Sequence, residues 1–382
     1  MSAVVTDISK NLVRLRSAKE LTQEAVASAA GISLAGYRKI ESGESAPRAT
    51  TVLALAKALD VKAGDVLRPA PALPRARFRS TKRMRERDLL LMDVAEELGS
   101  YVELETLLGE SRHFHPAKIT TDVTDPERRP IVMATKVRDA FRLRPDEVVR
   151  DICGLLEDRG IKVLRMPVAS DAFFGLSVAD SDLGPAIVVN TWDRISVERW
   201  IFTAAHELGH VVLHATDFDA AESAERPSHE KEADLFAAHF LMPDDAFHSA
   251  WQQTSGLGLY ERVLKVKRIF RVSYKTVLYR LHQQGRTDIW ARFKAEARRR
   301  TGKILLKVDE PEALGPGDFL GVAVEGRKGQ EPTQLTEFDF VTDRRQRLVR
   351  KAVEDETISI GRAAEILGVP LREMRQIAGS WY

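Results

Sequence analysis

The chain has 382 residues, 44% hydrophobic and 30% charged, with a net charge of +2: the composition of a soluble globular protein with room for two or three cores. No apolar run approaches the roughly 18 residues of a membrane span and no signal-peptide pattern opens the chain, so a cytoplasmic protein without a membrane partner is expected. Cys153 is the only cysteine, which excludes an intrachain disulfide and a thiolate-rich metal site.

The charge is unevenly spread. Residues 1–85 carry 16 Lys/Arg against 7 Asp/Glu, a net +9 suited to a polyanion. Residues 206–245 carry 2 against 10, a net −8 suited to a cation.

From Thr6 to Leu67 five short helices are predicted. Leu12, Leu15 and Arg16 begin the first, Thr22 can cap the second (Gln23–Ala30), and Ser33 can cap the third (Leu34–Glu41). Gly31 and Gly43 stop the second and third. A fourth helix follows Pro47, and a fifth turn ends at Leu67. Residues 68–85, with three prolines and a run of basic residues including Arg75, Arg77 and Arg79, read as a solvated linker. Helical periodicity resumes over Glu86–Glu110. A helix is predicted over Asp146–Arg159, then strands at Ile161–Met166, Phe173–Val178 and Ala186–Val189. Two helices follow, Ile195–His214, apolar nearly all round and therefore buried, and Ser228–Met242. The region 259–300 reads as helical and basic. Strands are expected at Ile304–Val308, Gly321–Val324 and Leu335–Val341, before three terminal helices. The expected architecture is multidomain and mainly α with an α+β part. Its domains are a helical bundle over 1–67, a linker and connector over 68–129, a central α+β domain over 130–285 and a small α/β region over 286–382.

His206 and His210 stand four apart on the long buried helix, so both imidazoles can reach one cation. Glu207 lies beside the first of them, placed to reach a water rather than the metal. This is the H-E-x-x-H arrangement, in which zinc acidifies a water and the glutamate takes its proton. A third ligand must come from elsewhere, and cysteine is excluded. Glu230 shares a face with Ala233, Asp234 and Ala237, small neighbours that permit a close helix–helix approach. Glu230 is the expected ligand, with Glu232 the alternative. Asp234 is expected to support a ligating histidine. His214 and the other histidines are expected in ordinary surface or core roles.

The stretch Leu21-Thr22-Gln23-Glu24, Ala30-Gly31-Ile32-Ser33 and Tyr37-Arg38-Lys39-Ile40-Glu41-Ser42-Gly43 resembles the Xre/Cro-like helix-turn-helix family. The resemblance implies that the third helix enters the major groove of a duplex DNA operator. Carried over, Gln23 is a backbone contact, and Ser33, Leu34 and Arg38 face the groove. Lys39 and Arg48 touch phosphate, while Ile32, Tyr37 and Ile40 hold the core. Ala35 and Gly36 depart from the pattern by placing small side chains where base readers often sit. Dimeric binding is expected from the family.

Trp200-Ile201-Phe202-Thr203-Ala204-Ala205-His206-Glu207-Leu208-Gly209-His210, with the later Glu230-x-x-Ala233-Asp234-x-Phe236-Ala237 and Leu241-Met242-Pro243, resembles the ImmA/IrrE metallopeptidase family. The resemblance covers about residues 130–285. It implies a zincin-like zinc endopeptidase of regulatory specificity, acting on a helix-turn-helix repressor or on itself. An oxyanion donor is expected, with Tyr260, Tyr279 and Arg280 as candidates on chemistry alone. The alternative is an antitoxin or transcription factor that keeps the zinc fold as a sensor or scaffold without proteolysis, with a toxin partner on residues 301–382. Tyr260–Lys303 carries 14 Lys/Arg against 3 Asp/Glu among six aromatics. That pattern fits either solvated helices with inward rings or a track for single-stranded DNA.

Overall fold

Helix-stop chemistry shapes the first of two units. The computed structural model describes residues 3–70, 72–73, 75–80, 87–170, 172–181, 183–218, 226–306, 309–311 and 335–381. The chain divides into one unit of Met1–Leu73 with Met84–Ser100 and another of Pro74–Arg83 with Tyr101–Tyr382. The first contains α1 (Ala3–Ala18), α2 (Gln23–Ala29), α3 (Leu34–Glu41), α4 (Ala49–Ala58) and α5 (Ala63–Leu67). The Thr22 hydroxyl accepts from the Ala25 N–H at 3.1 Å, and Ser33 Oγ accepts from the Gly36 N–H at 3.1 Å. Each satisfies a first-turn donor that lacks an intrahelical acceptor. Gly31 and Gly43 follow α2 and α3 with φ of 67° and 77°, where a side chain would be strained. Leu12, Val26, Tyr37, Leu55, Leu59 and Val66 close the core and are fully buried.

The second unit is built on a sheet of β1 (Ala76–Ser80), β2 (Lys162–Met166), β3 (Phe173–Val178) and β4 (Ala186–Asn190), in the order β1-β3-β4-β2. β2 and β4 are parallel, with Val163 opposite Ile187; β3 is antiparallel to β4, and β1 to β3. Every residue of β4 is buried, as a central strand covered on both faces requires. Across β3 and β4 lies α9 (Val197–Leu213), and α10 (Pro227–Leu241) packs between α9 and α7 (Arg129–Ala140). The same core continues through α11 (Asp244–Gln253), α12 (Leu259–Phe270), α13 (Tyr274–Gln283) and α14 (Ile289–Thr301), by way of Phe247, Phe270, Val277 and Phe293. Among the described residues no helix is long and apolar enough to cross a membrane.

The structure departs from the sequence reading at several points. Within the expected linker, Ala76–Ser80 is the edge strand β1. The predicted helix at Asp146–Arg159 is α8 (Ile152–Asp158), because Asp151 caps it by accepting from the Gly154 N–H at 2.9 Å. α7 was not foreseen; its apolar residues form a narrow face of Met133, Ala134 and Val137 amid charge. The C-terminal strands are not found among the described residues. Ile304–Leu306 is irregular, Glu337–Asp339 is a 3-10 turn inside the expected Leu335–Val341 strand, and Gly321–Val324 lies outside the described residues.

The predicted connector helix is α6 (Arg87–Leu107), and the terminal helices are α15 (Arg344–Glu354), α16 (Ile360–Leu367) and α17 (Leu371–Gly379). Arg344 fixes α15 to the unit. Its buried guanidinium donates to Glu105, to the Tyr101 hydroxyl at 3.3 Å and to the Glu110 carbonyl at 2.9 Å. Lys162 Nζ stands 3.3 Å from Glu105, so two cations share that buried carboxylate.

Candidate metal centre

α9 is apolar nearly all round and buried along almost its whole length. Placing His206, Glu207 and His210 there leaves all three at 0% exposure. The spacing of four turns both imidazoles to one side, with His206 Nε2 and His210 Nε2 3.0 Å apart. Glu230, in the first turn of α10, completes the group: its carboxylate oxygens lie 3.3 Å from His206 Nε2 and 3.2 Å from His210 Nε2. One donor atom from each of the three residues falls within a 4.8 Å span. Ligand atoms about 2.0–2.2 Å from a tetrahedral ion stand a little over 3 Å apart, so the triangle has the dimensions of a three-ligand zinc site.

Two glycines make this geometry possible. A Cβ on Gly209 would lie 3.0 Å from Phe236 Cδ1 and 3.3 Å from Ala233 Cα, so this glycine lets α10 approach α9. A Cβ on Gly175 of β3 would stand 2.7 Å from Thr203 Cγ2 and 3.1 Å from Glu207 Oε1. That gap admits the Glu207 carboxylate between helix and sheet, where Ser177 Oγ donates to it.

The far nitrogens of the histidines are also held. His206 Nδ1 is 2.8 Å from Asp234 Oδ1. His210 Nδ1 is 3.0 Å from His214 Nδ1, and His214 Nε2 lies 3.4 Å from Glu232 Oε2. Arg129 fixes Glu232 at 3.0 Å and donates to the Leu213 carbonyl at 2.9 Å. Thus Glu232 stands one residue removed from the centre, behind His214. The His214 ring stacks on His229, centroids 4.0 Å apart and planes 5° from parallel. Arg77 of β1 reaches the same cluster, its guanidinium 3.1 Å from Glu230 Oε1 and 3.3 Å from His229 Nδ1.

Burial pushes His210 down to about 3 and His214 far below the usual imidazole range. Burial alone would raise Glu230, but hydrogen bonding to His206 and His210 outweighs it and holds the carboxyl well below the ordinary value. At neutral pH the site therefore presents a neutral His210 imidazole and an ionised Glu230, the forms in which these side chains bind a cation.

The remaining expected residues fall as follows. Gln23 opens α2; its amide donates to Glu41 and its carbonyl accepts from Arg38 Nε at 3.3 Å. The buried Glu41 also receives Arg16 Nε at 2.6 Å and the Tyr37 hydroxyl at 3.2 Å. Ser33 caps α3, Leu34 is half-buried, and Arg38, Lys39 and Arg48 are exposed. Tyr37 and Ile40 are buried, with Ile32 packed against them. Of the three oxyanion candidates, Tyr260 stacks on Phe293 and Arg280 is spent on Asp244 and the Met242 carbonyl. For Tyr279, burial raises the hydroxyl and the neighbouring Asp234 charge adds to the shift. In the basic segment, Phe270, Tyr274 and Phe293 are buried, and Lys267 is sunk between Glu198 at 2.7 Å and Glu310 at 2.6 Å. Those rings are packed inward, so the segment is a set of helices over a core and gives single-stranded DNA no stacking face from them.

Sequence reasoning missed Arg77, His214, Ser177 and Gly175. His214 carried a signal, four residues after His210 on the same helical face. The other three come from strands, whose placement against α9 is a tertiary matter.

Residues 12–66 match the family described as helix-turn-helix, and residues 156–282 match the IrrE N-terminal-like domain of peptidase family M78. The chain joins an Xre-like helix-turn-helix domain to an ImmA/IrrE-like metallopeptidase domain. No curated protein matches it.

Proposed function

We propose that the protein is a DNA-binding regulator whose second unit is a zinc-dependent endopeptidase. The observation that carries the reading is the meeting of His206, His210 and Glu230 donor atoms within 4.8 Å, with the Glu207 carboxylate on the same buried helix. Two imidazole nitrogens and a carboxylate suit zinc, and cysteine contributes nothing. When bound, zinc would supply a Lewis acid for a peptide carbonyl and acidify a water.

The chain's own residues do the rest. Asp234 and His214 orient the two imidazoles. The Glu207 carboxylate, steadied by the Ser177 hydroxyl, takes the proton of the attacking water and passes it to the leaving nitrogen. Tyr279 is the candidate donor to the developing oxyanion. In the first unit, Gln23 and Arg38 present paired polar ends to duplex DNA, with Lys39 and Arg48 on phosphate and Ser33 and Leu34 at the groove. A repressor-type protein, or the chain itself, is the proposed substrate.

The test incubates the full chain with zinc, or with chelator, together with an unfolded casein and a helix-turn-helix repressor encoded beside it. Zinc-dependent fragments of either protein, or of the chain, are expected. Identical fragment patterns with zinc and with chelator would leave only the DNA-binding regulator.

A further inference from the structure

We propose that the outer edge of β3 is a docking edge for an extended polypeptide, held by the chain's own strand Ala76–Ser80 as an internal competitor. This rests on the peptidase reading of the same site and adds its regulation.

β3 is the strand that faces the metal centre. Ser177 Oγ donates to Glu207, and the space above Gly175 is bounded by the same carboxylate. A polypeptide paired along the open edge of β3 must pass the centre, bound by main-chain hydrogen bonds that any sequence can supply. β1 holds that edge antiparallel, with Arg77 opposite Ser177 in the register and the Arg75 carbonyl accepting from the Ala179 N–H at 3.0 Å. Residues opposite one another in a pair project to the same face. The Arg77 side chain, 12% exposed, accordingly lies over the site, 3.1 Å from Glu230 Oε1. A substrate strand and β1 cannot share this edge.

The connectivity gives the competitor a control point. Both neighbours of the strand in sequence, Met1–Leu73 and Met84–Ser100, belong to the first unit. A restraint on the first unit therefore reaches both ends of the strand through the chain itself. As an edge strand of five residues with one partner, β1 can leave β3 without breaking the β3–β4 and β4–β2 pairings.

Ala76 and Val178 stand opposite each other, and the only native cysteine, Cys153, is buried. In the full chain carrying Glu207→Gln, a disulfide between Ala76→Cys and Val178→Cys fastens β1 to β3, and a thiol reductant releases it. The probe is a fluorescein-labelled peptide copying residues 75–80, read by anisotropy at moderate salt. Binding about tenfold tighter in the reduced than in the oxidised protein is expected, because only the released edge can accept a second strand. Equal binding in both states, or binding in neither, overturns the proposal. With Glu207 restored, the reduced form should also cleave unfolded casein about tenfold faster than the oxidised one. Redox-gated probe binding without cleavage in either state would sink the peptidase reading and leave the docking edge standing. If the cysteine pair does not fold, Arg77→Pro serves instead, since it removes a ladder donor from β1 alone. Probe binding about tenfold tighter than in the parent chain is then expected, and unchanged binding overturns the proposal.

Discussion

His214 Nδ1 lies 3.0 Å from His210 Nδ1, so one proton must serve both nitrogens. Burial keeps both rings neutral at pH 7. His210 Nε2 faces Glu230 and needs its lone pair for ligation, which leaves the proton on His210 Nδ1 with His214 as acceptor. His214 then carries its own proton on Nε2, towards Glu232. His214→Phe keeps the ring and removes the acceptor. Zinc affinity, measured by chelator competition, should fall about 10–100-fold while the protein stays folded. An unchanged affinity would reduce His214 to a space-filler.

The two glutamates of α10 should separate in metal content. Glu230→Gln removes a donor 3.2 Å from His210 Nε2, whereas Glu232→Gln removes only the carboxylate behind His214. Zinc measured by elemental analysis should drop far more in the first variant, and His206→Ala or His210→Ala should lose it altogether. The reverse ranking of the glutamates would exchange their roles.

Gly209→Ala tests the helix contact that brings Glu230 to the histidines. The new methyl would meet the Phe236 ring at 3.0 Å and the Ala233 backbone at 3.3 Å. Overpacking of this kind costs about 1–3 kcal/mol, read as a lower urea midpoint. Weaker zinc binding should accompany it. A variant with wild-type stability and metal content would mean that the two helices part without consequence.

Glu157 sets a pH dependence remote from the metal centre. Burial pushes its carboxyl up to about 7, and donation from the Arg344 N–H and the Tyr101 hydroxyl offsets this only in part. The folded value exceeds the unfolded one, so folding favours the protonated form. The contribution is complete below about 4.5 and is lost as pH rises through 7. Glu157→Gln should flatten that slope and be more stable than wild type at about pH 8, by on the order of 1–3 kcal/mol. Parallel stability–pH curves for the two proteins would contradict the assignment.

For DNA, Arg38 and Arg77 should behave differently in the full chain. Arg38 is exposed on α3 beside Gln23, whereas Arg77 is committed to Glu230. Arg38→Ala should weaken operator binding and relax sequence preference, by about 1–3 kcal/mol if it reads a base. Arg77→Ala should leave DNA affinity unchanged. Equal losses in a gel-shift titration would return Arg77 to the DNA-binding surface.

Much of this was legible along the chain because it is local. Thr22 and Ser33 announced their helices, the run Phe173–Val178 is a strand with the expected ends, and the spacing of His206 and His210 fixes a shared face by helix geometry alone. What escaped is non-local or masked by composition. Arg77 and Glu230 are 153 positions apart, and no pattern in sequence joins them. Around Arg77 the alternation of arginine with Ala76 and Phe78 has the period of a strand, but the charge and the flanking prolines read as linker. In sequence Glu232 reads only as a rival ligand, because its neighbour, His214, lies at the end of another helix.

The most direct test of the central claim is the Glu207→Gln variant, assayed for zinc content and for cleavage in the same preparation. The account predicts about one zinc per chain, as in wild type, because Glu207 is not among the donors, together with loss of zinc-dependent cleavage of casein and repressor. Cleavage at the wild-type rate by the zinc-loaded variant would contradict it.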